Sequence, residues 1–376
     1  MHIVIDAHLA VKKIDGIARY LNGLLLELPK IDSSIKFTVL TLPTNKSSLS
    51  EDIFSHSNVN RVKLNLMGPS PKQHFITWRL LREVNGDVYH HPQYDLPLGV
   101  PVPSVITIHD LKYIFHAEYL RKRSRLKRFY IKSTLQRSLK VADQIIVVSQ
   151  STLNDLKQLN SFNWEKVSVI YHGVDSPLEI EDEKINEIIK DFDISENFIL
   201  FVGTRRPHKN IGGLIRALGI LRKRYGLDID LVMSGKAYSD YREPEKISNE
   251  LDLDSYTHFL DFIPDSKLPA LYQSAKVVAL VSYYEGFGLP LLEAMSYGTP
   301  VIGSNVSSIP EVIGNAGLLA DPYNPEDIAK KIYQIITDSH LAAKLSQAGL
   351  ERSKQFSWRS LAESTLNIYI KAFLAK

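Results

Sequence analysis

Cysteine is absent from this chain of 376 residues. Its absence excludes disulfides, thiolate zinc sites and a cysteine nucleophile, and it fits a reducing, cytosolic compartment. The chain also lacks any apolar run approaching the roughly 18 residues that a membrane-spanning helix requires. Residues 1–7 have neither the basic stretch nor the longer apolar core of a signal peptide, so they are interpreted as a short buried strand. We therefore expect a cytoplasmic protein.

A large net charge is absent as well. The 45 lysines and arginines nearly balance the 42 acidic residues, which gives a formal net charge of +3. The charge is unevenly spread, however, because residues 1–175 carry +8 and residues 176–376 carry −5. The length predicts two or three domains at about 150 residues each. The opposite charges of the two halves favour two domains with different partners.

Short and almost wholly apolar segments recur along both halves. They lie at 3–5, 37–40, 87–89, 105–108 and 145–148, and again at 198–202, 230–233, 258–260, 277–281 and 300–302. Such runs are typical of parallel strands that are buried on both faces. The helical patterns between them indicate crossover connections. The sequence therefore predicts an α/β protein with two doubly wound parallel-sheet domains in tandem.

The polar stretch 175–195 is the predicted domain boundary, with an N-terminal domain at 1–175 and a C-terminal domain at 176–357. A surface helix and loop inside one domain is the alternative for this stretch. The tail after Ser357 forms an apolar stripe on one side of a predicted helix, and this stripe must pack against one of the domains. Its members are Trp358, Leu361, Thr365, Ile368 and Ala372.

The segment 277–295 has the pattern of a strand, a glycine-containing loop and a helix. Free N–H groups at the start of such a helix suit a phosphate, and Gly286 and Gly288 allow the backbone to approach it closely. Glu285 lies at the loop entrance, and Glu293 is expected in the first helical turn. Because a carboxylate repels a phosphate, both are predicted to accept hydrogen bonds from sugar hydroxyls. The alternative is a carboxylate that only favours the helix dipole.

A second loop, 203–210, again follows an apolar strand and precedes a helical pattern. It contains the cations Arg205, Arg206 and Lys209, which are suited to neutralising a phosphate leaving group. An ordinary solvated loop with incidental charges is the alternative.

The N-terminal half offers weaker signals. Gly16 stands alone at the first strand–helix turn, so the dinucleotide fingerprint is missing. His109 follows the run 105–108, and ligands bind at the carboxyl ends of strands in open α/β sheets. A structural histidine is the alternative there. His90, His91 and His116 lack metal-ligand spacing, and the sequence contains neither a nucleophile elbow nor a Walker loop.

Several motifs occur together and in order: Gly-Ile-x-Arg-Tyr from Gly16, Ile-His-Asp at 108–110, Ile-Tyr-His-Gly-Val-Asp at 170–175, Gly203 with His-Lys-Asn at 208–210, and Glu285-x7-Glu293. Together they resemble the retaining nucleotide-sugar glycosyltransferases of the family-four group, over essentially the whole chain. The Glu-x7-Glu segment with its continuation Gly-Thr-Pro-Val at 298–301 is the most specific part. The resemblance implies the GT-B fold: two Rossmann-like domains facing a cleft, with a C-terminal helix at 358–376 crossing back to the first domain.

The same resemblance implies a reaction. A hexose would pass from a nucleotide sugar on the C-terminal domain to an acceptor hydroxyl on the N-terminal domain, with retained anomeric configuration. The acceptor would be a glycan or a lipid-linked sugar in polysaccharide or lipopolysaccharide biosynthesis. GDP-mannose is the first expectation, since residues 89–94 and 109–111 resemble those of bacterial polysaccharide mannosyltransferases, and a UDP-linked or other hexose stays open. Many members work without a bound metal, so no metal or cofactor is expected.

Roles for single residues are carried over from the resemblance. Glu285 would hold hydroxyls of the transferred sugar and Glu293 those of the ribose. Lys209 and one arginine of its loop would stabilise the departing diphosphate, and His109 would orient the donor sugar.

Backbone groups complete the expected donor site. The N–H groups of Phe287, Gly288 and Leu289 would contact the sugar and the diphosphate, and the turn at Gly16 would close against the donor. Family members often have Arg-Lys-Asn where this chain has His-Lys-Asn at 208–210. The arginine's role then falls to Arg205 or Arg206, of which we favour Arg205.

A basic cluster could bind the anionic inner face of the cell membrane, at roughly 1 kcal/mol per cation near the lipid. Its members are Arg121, Lys122, Arg123, Arg125, Lys127 and Arg128. A solvated charged helix is the alternative, because no clean cationic face with an apolar back emerges.

Other functions stay open at this point. An epimerase or a phosphorylase could use the same two-domain architecture, and a non-catalytic partner subunit could keep the fold alone. A nucleic-acid binder is disfavoured, because no basic motif interleaved with aromatics is present.

Overall fold

The computed structural model describes residues 1–11, 16–43, 46–64, 71–119, 125–159 and 162–375. The chain divides into two compact units. The first unit comprises Met1–Gly173 and Phe356–Lys376, and the second comprises Val174–Gln355. The first unit thus ends two residues before the expected position 175, and its returning tail starts two residues before the expected position 358.

The first unit is built around a parallel sheet. In its described residues the strands are β1 (His2–Asp6), β2 (Lys36–Thr41), β3 (Val59–Lys63), β4 (Val88–His91), β5 (Ser104–Ile108), β6 (Gln144–Val147) and β7 (Val167–Val169). Their order across the sheet is β3-β2-β1-β4-β5-β6-β7. The helices are α1 (Gly16–Ile31), α2 (Pro71–Val84), α3 (Lys112–Phe115), α4 (Arg125–Val141) and α5 (Gln150–Lys157). This strand order places the carboxyl ends of β1, β4 and β5 side by side.

The second unit repeats the plan. Its helices are α6 (Asp182–Asp191), α7 (Ile211–Lys223), α8 (Glu243–Glu250), α9 (Leu268–Ser274), α10 (Leu289–Ser296), α11 (Ile309–Ile313), α12 (Pro325–Thr337) and α13 (Ser339–Ser353). Its strands are β8 (Phe198–Val202), β9 (Asp230–Ser234), β10 (Thr257–Leu260), β11 (Val277–Leu280), β12 (Val301–Ser304) and β13 (Leu318–Ala320). Over the described residues they form a parallel sheet in the order β10-β9-β8-β11-β12-β13. The loops that follow β8 and β11 are therefore neighbours.

The central strands are buried on both faces, as their composition predicts. Residues 198–201 of β8 and the whole of β11 and β12 are buried, and in the first unit β4, β5 and β6 are buried along their full length. The polar stretch 175–195 lies in the second unit and contains α6, which packs against α9.

The last helix, α14 (Trp358–Leu374), packs against α1 in the first unit. Its buried face includes Leu361, Thr365, Ile368 and Ala372, which confirms that the apolar stripe is a packing face. Gly23 of α1 makes the approach possible, because a Cβ there would lie 2.2 Å from Cδ2 of Trp358. The expectation that the tail returns to the first domain is confirmed.

Candidate functional site

The loop after β8 is fixed to its neighbour β9 by backbone contacts. The N–H of Gly203 donates to the carbonyl of Ser234 over 2.9 Å, and that of Arg205 donates to the carbonyl of Lys236 over 3.0 Å. Gly235 has a φ of 144°, and a Cβ there would stand 1.9 Å from the carbonyl oxygen of Gly203. A glycine is therefore required where the two loops touch.

Asn210 connects this loop to the next one. Its backbone is left-handed, with a φ of 54°, and its Oδ1 accepts a hydrogen bond from the N–H of Gly213 and caps α7. Its Nδ2 donates to the carbonyls of Val281 and Pro322 over 3.0 and 2.6 Å. Sequence reasoning gave Asn210 no role beyond the motif, although an asparagine at a helix start is a known capping signal.

Lys209 and Glu285 meet across the two loops. The Lys209 Nζ donates to Glu285 Oε1 over 2.6 Å, and the side chains are only 14% and 11% exposed. The hydroxyl of Ser282 donates to the same oxygen over 2.6 Å. The structure thus brings together Lys209 and Glu285, the cation and the carboxylate that were predicted from the sequence, although they are 76 residues apart in the chain.

Two serines support the loop that begins at Glu285. The Ser307 hydroxyl accepts from the Glu285 N–H over 3.1 Å and donates to the Glu285 carbonyl over 2.6 Å. The Ser308 hydroxyl donates to the Phe287 carbonyl over 2.8 Å. These hydrogen bonds fix the backbone of the loop from within the second unit.

Gly288 gives the loop its turn into α10. Its φ is 117°, and a Cβ there would lie 2.7 Å from Cδ1 of Ile309, so only glycine fits without strain. Leu289 begins the helix and Pro290 is its second residue. The first N–H groups of a helix have no partner within it, so this end of α10 offers donors and a partial positive charge to an anion.

The expectation for Glu293 is wrong in one respect. It is the fifth residue of α10, so it lies in the second turn and not in the first. The reason is that the helix starts at Leu289, directly after Gly288. Its Oε2 accepts a hydrogen bond of 2.6 Å from the hydroxyl of Tyr272, whose ring stacks on Tyr297 at 5.8 Å.

The two arginines have other contacts. Arg205 is 4% exposed and donates from Nη2 to Oδ1 of Asp261 over 2.9 Å, while its buried Nε has no hydrogen-bond partner. The guanidinium of Arg206 lies 3.3 Å from the ring centroid of Tyr238. Within the described part of the chain, no ion pair joins either arginine to Glu285. Their roles in binding an anion stay predictions.

In the first unit, His109 follows β5, and its Nε2 is buried without a hydrogen-bond partner. Burial lowers the pKa of His109 to about 4, against smaller opposing effects of Asp110 and of a hydrogen bond to the Pro92 backbone. The imidazole is therefore neutral near pH 7. A neutral imidazole nitrogen that carries no proton accepts a hydrogen bond, for instance from a sugar hydroxyl.

A buried carboxylate cluster between β1 and β4 was not anticipated. Asp6 accepts hydrogen bonds from Nδ1 of His8 and, over 2.6 Å, from the hydroxyl of Tyr89. His91 lies between the carboxylates of Asp6 and Asp95. Its Nδ1 is 3.5 Å from Asp6, and its Nε2 is 3.0 Å from Asp95. Burial lowers the pKa of His91, but the hydrogen bonds to both carboxylates outweigh burial and raise it to about 9. No local sequence pattern pointed to this cluster, because the pairing of β1 with β4 brings its residues together from distant parts of the chain.

Two further predicted features, the turn at Gly16 and the basic cluster, lie partly outside the described residues. Gly16 begins α1, with open space around the position of a Cβ, and residues 12–15 before it lie outside the described residues. In the basic cluster, residues 121–124 and the side chains at 125 and 127 are likewise outside. Arg128 is described, and its Nη2 donates to the carbonyl of Ile114 over 3.0 Å. Membrane contact by this cluster stays a prediction.

None of the described helices combines the length and the apolar character needed to cross a bilayer. The described part of the chain also contains no group of three or more histidine, aspartate or glutamate side chains that could hold a metal ion.

Comparison with known sequences gives matches over both units. Residues 14–176 match the family described as Glycosyltransferase Family 4, and residues 182–352 match Glycosyl transferases group 1. The chain is 32% identical over 295 residues to O-antigen chain mannosyltransferase B of Escherichia coli, covering 77% of this chain and 75% of that protein. It is 30% identical over 274 residues to the serotype-specific mannosyltransferase WbdA of Escherichia coli, covering 70% of this chain but 33% of WbdA.

Solved structures share the fold over nearly the whole chain. Anabaena HepE in complex with UDP-glucose superposes with a TM-score of 0.77 at 18% identity, covering 98% of both chains. A sucrose-phosphate synthase from Thermosynechococcus elongatus gives a TM-score of 0.77 at 20% identity, covering 100% of both chains. The two parallel-sheet units, the two family matches and the relative at 32% identity agree, and the chain belongs to the family-four glycosyltransferases with the GT-B fold.

Proposed function

We propose that this protein is a retaining hexosyltransferase that moves mannose from GDP-mannose to a hydroxyl of a growing bacterial polysaccharide or of a lipid-linked sugar. The observation that carries the proposal is the pairing of Lys209 with Glu285 beside the free N-terminal end of α10. The likeness to O-antigen chain mannosyltransferase B supports mannose as the sugar.

The donor binds the second unit in this proposal. The diphosphate takes hydrogen bonds from the N–H groups of Phe287, Gly288 and Leu289 at the start of α10, where the helix dipole favours a negative charge. Lys209 supplies a cation to this loop, where it contacts Glu285. Gly286 leaves room for the sugar beside the loop.

Glu285 has two functions in this proposal. Without donor it neutralises Lys209, and Ser282 donates to the same carboxylate oxygen. With donor bound, the ammonium is shared with the diphosphate, and the carboxylate accepts hydrogen bonds from hydroxyls of the transferred sugar. Glu293 accepts hydrogen bonds from the ribose, while Tyr272 fixes the orientation of its carboxylate.

The reaction develops negative charge on the leaving diphosphate and oxocarbenium-like positive charge on the sugar, by analogy with glycoside hydrolysis. Fixed N–H donors, the ammonium of Lys209 and the guanidinium of Arg205 or Arg206 stabilise the first of these charges. Neutral His109 accepts a hydrogen bond from a hydroxyl of the sugar and orients it. The chain's own cations supply the charge stabilisation, so we propose a reaction that needs no added metal.

A panel of nucleotide sugars tests the proposal. Thermal shift and donor hydrolysis are measured for GDP-mannose, UDP-glucose, UDP-galactose and UDP-N-acetylglucosamine, with and without EDTA. We expect GDP-mannose to give the largest thermal shift and the fastest hydrolysis, unchanged by EDTA. A clear preference for a UDP sugar contradicts the donor assignment. Release of a free hexose that has been epimerised at C2, in the absence of any acceptor, favours an epimerase instead.

A further inference from the structure

Two aromatic rings, those of His172 and Tyr20, flank His109 inside the first unit. The imidazoles of His109 and His172 lie parallel, with centroids 5.6 Å apart and an interplanar angle of 5°. The ring of Tyr20 meets both edge-on, at 4.9 Å from His109 and 5.3 Å from His172. One face of His109 is thus covered by a flat ring and a second side by the edge of a tyrosine.

The ring beside His109 is itself held from behind. The indole of Trp358, at the start of α14, meets His172 edge-on at 6.2 Å. Gly173 makes this approach possible, because a Cβ there would lie 2.2 Å from the backbone nitrogen of Trp358. The returning C-terminal helix therefore fixes the position of His172, which is 4% exposed.

A hydrogen-bonded chain fixes Tyr20 in the same way. Its hydroxyl lies 3.1 Å from Oγ1 of Thr107, which in turn lies 2.8 Å from Nε2 of His90. The other ring nitrogen of His90 lies 2.7 Å from the hydroxyl of Tyr369 on α14. Both rings that touch His109 are thus tied to α14.

The contacts of His109 define its tautomer. The backbone of Pro92 can only accept a hydrogen bond, because proline has no N–H, so the imidazole must donate to the Pro92 carbonyl. Since Nε2 has no partner, the donor is Nδ1. The lone pair of Nε2 is then a buried acceptor without a donor, which is costly unless a ligand supplies one.

We propose that His172 is a positioning residue that holds His109 in this orientation and in the Nδ1–H tautomer, so that Nε2 accepts a hydrogen bond from a hydroxyl of the substrate. The inference rests on the proposed function for the identity of that hydroxyl. The inference goes beyond the proposed function because it gives a role to His172, the histidine of the motif at 170–175. His172 itself does not touch the substrate in this account.

The charged and titratable groups that face His109 explain how His172 affects the pKa of His109. Asp110 favours the charged imidazole and Lys112 disfavours it, both from the loop that follows β5. From neighbouring elements, His90 and His172 face it, and both have a lowered pKa, chiefly because they are buried. Tyr20 completes the set and stays neutral, since burial raises its pKa. Burial is the largest cause of the low pKa of His109, and the flat face of His172 provides part of that burial.

The test is a pH titration of the full-length protein by NMR with labelled histidine, in which His109→Asn assigns the resonance. His172→Ala removes the covering ring, and His172→Phe keeps a flat ring without a titratable group. His340→Ala, at an exposed histidine of the second unit, is the matched control. His172→Gln replaces the alanine variant if that variant does not fold, as judged by its thermal transition.

We expect the pKa of His109 to rise by about one unit or more in His172→Ala, toward the ordinary value for histidine, and its tautomer to become mixed. His172→Phe and His340→Ala should leave both unchanged. In donor hydrolysis, the acid limb of the kcat/KM profile should move by the same amount in His172→Ala alone.

An unchanged pKa and tautomer in His172→Ala overturns the proposal, and so does a phenylalanine variant that shifts as the alanine variant does. The NMR measurement needs neither donor nor acceptor. It therefore decides this inference even if the protein cleaves no GDP-mannose, which would overturn the proposed function alone.

Discussion

The ammonium of Lys209 lies 2.6 Å from Oε1 of Glu285, and the two residues come from neighbouring loops at the carboxyl ends of β8 and β11. Parallel strands place such loops at one edge of a sheet, where ligands bind in doubly wound folds. Since both side chains are mostly buried, each depends on the other for neutralisation. This mutual dependence has consequences for stability as well as for catalysis.

A double-mutant cycle measures the pairing. Lys209→Met and Glu285→Gln should each lower the free energy of unfolding of the second unit by about 1–3 kcal/mol, because each leaves the partner charge partly buried and unpaired. The double variant should lose less than the sum of the two, with a coupling energy of about 1 kcal/mol or more. Denaturant unfolding gives these values. Strict additivity within error contradicts a pair that is mutually neutralised.

Gly288→Ala tests the turn into α10. The positive φ and the 2.7 Å approach to Ile309 should make the variant less stable by about 1–3 kcal/mol and weaken nucleotide binding, because the N–H groups beyond it lose their alignment. Gly226→Ala is the matched control: it has a φ of 66° but nothing within 4 Å of the new methyl group. Calorimetric titration with GDP and thermal melting compare them. Equal effects of the two variants on GDP binding would contradict a special role for Gly288.

Tyr272→Phe tests whether the orientation of Glu293 matters. Loss of the 2.6 Å hydrogen bond should raise the KM for the donor about 3- to 10-fold with a smaller change in kcat, because the carboxylate contacts the ribose and not the reacting bond. Tyr297→Phe is the control, since its ring stacks on Tyr272 and its hydroxyl accepts from the N–H of Leu178 instead. A larger KM effect in Tyr297→Phe would argue against the assignment of Glu293.

The buried histidines predict how the stability of the first unit depends on pH. The pKa of His91 is raised from 6.5 to about 9, so its proton stabilises the folded state fully below pH 6.5, and this contribution is lost as the pH rises to 9. Burial lowers the pKa of His90 to about 3 and that of His109 to about 4, so the unfolded chain takes up protons that the folded chain cannot, and stability falls as the pH drops below 6.5. Maximal stability is expected at about pH 6–7.

His91→Gln checks the alkaline half of this argument. The variant should be clearly less stable than the wild type at pH 6, and the difference should shrink by pH 9, where His91 has lost its proton in the wild type. His340→Gln should show no such pH dependence. Thermal melting across pH 5–9 provides the readout, and a difference that grows toward pH 9 would contradict a protonated His91.

The central strands could be predicted from the sequence, whereas β10 was the only one of the four edge strands to be predicted. Residues 198–202 form β8 with the predicted bounds, because a strand between two neighbours must be apolar on both faces. β3 contains Asn60 and Arg61, and none of the three residues of β7 is fully buried. An edge strand has one neighbour and needs no long apolar run, so β3 and β7 were not predicted, and β13 is apolar but only three residues long.

The candidate site shows the same division. Lys209 and Glu285 could be selected because each lies in a loop that follows an apolar strand. The turn of Glu293 was misjudged because helix starts are set by backbone geometry at one residue, here Gly288. The buried carboxylate cluster depends on contacts between residues about 85 positions apart, such as Asp6 with Tyr89 and His91, and no local pattern encodes those.

The most direct test of the account is cleavage of GDP-mannose by the wild type and by the isosteric variants Lys209→Met and Glu285→Gln, measured as released GDP on protein whose folding has been verified by thermal melting. Wild-type protein should release GDP, and each variant should lose about 100-fold or more in kcat, because each removes a group that stabilises charge in the transition state. Near-wild-type turnover in both folded variants would contradict the placement of the donor at this pair.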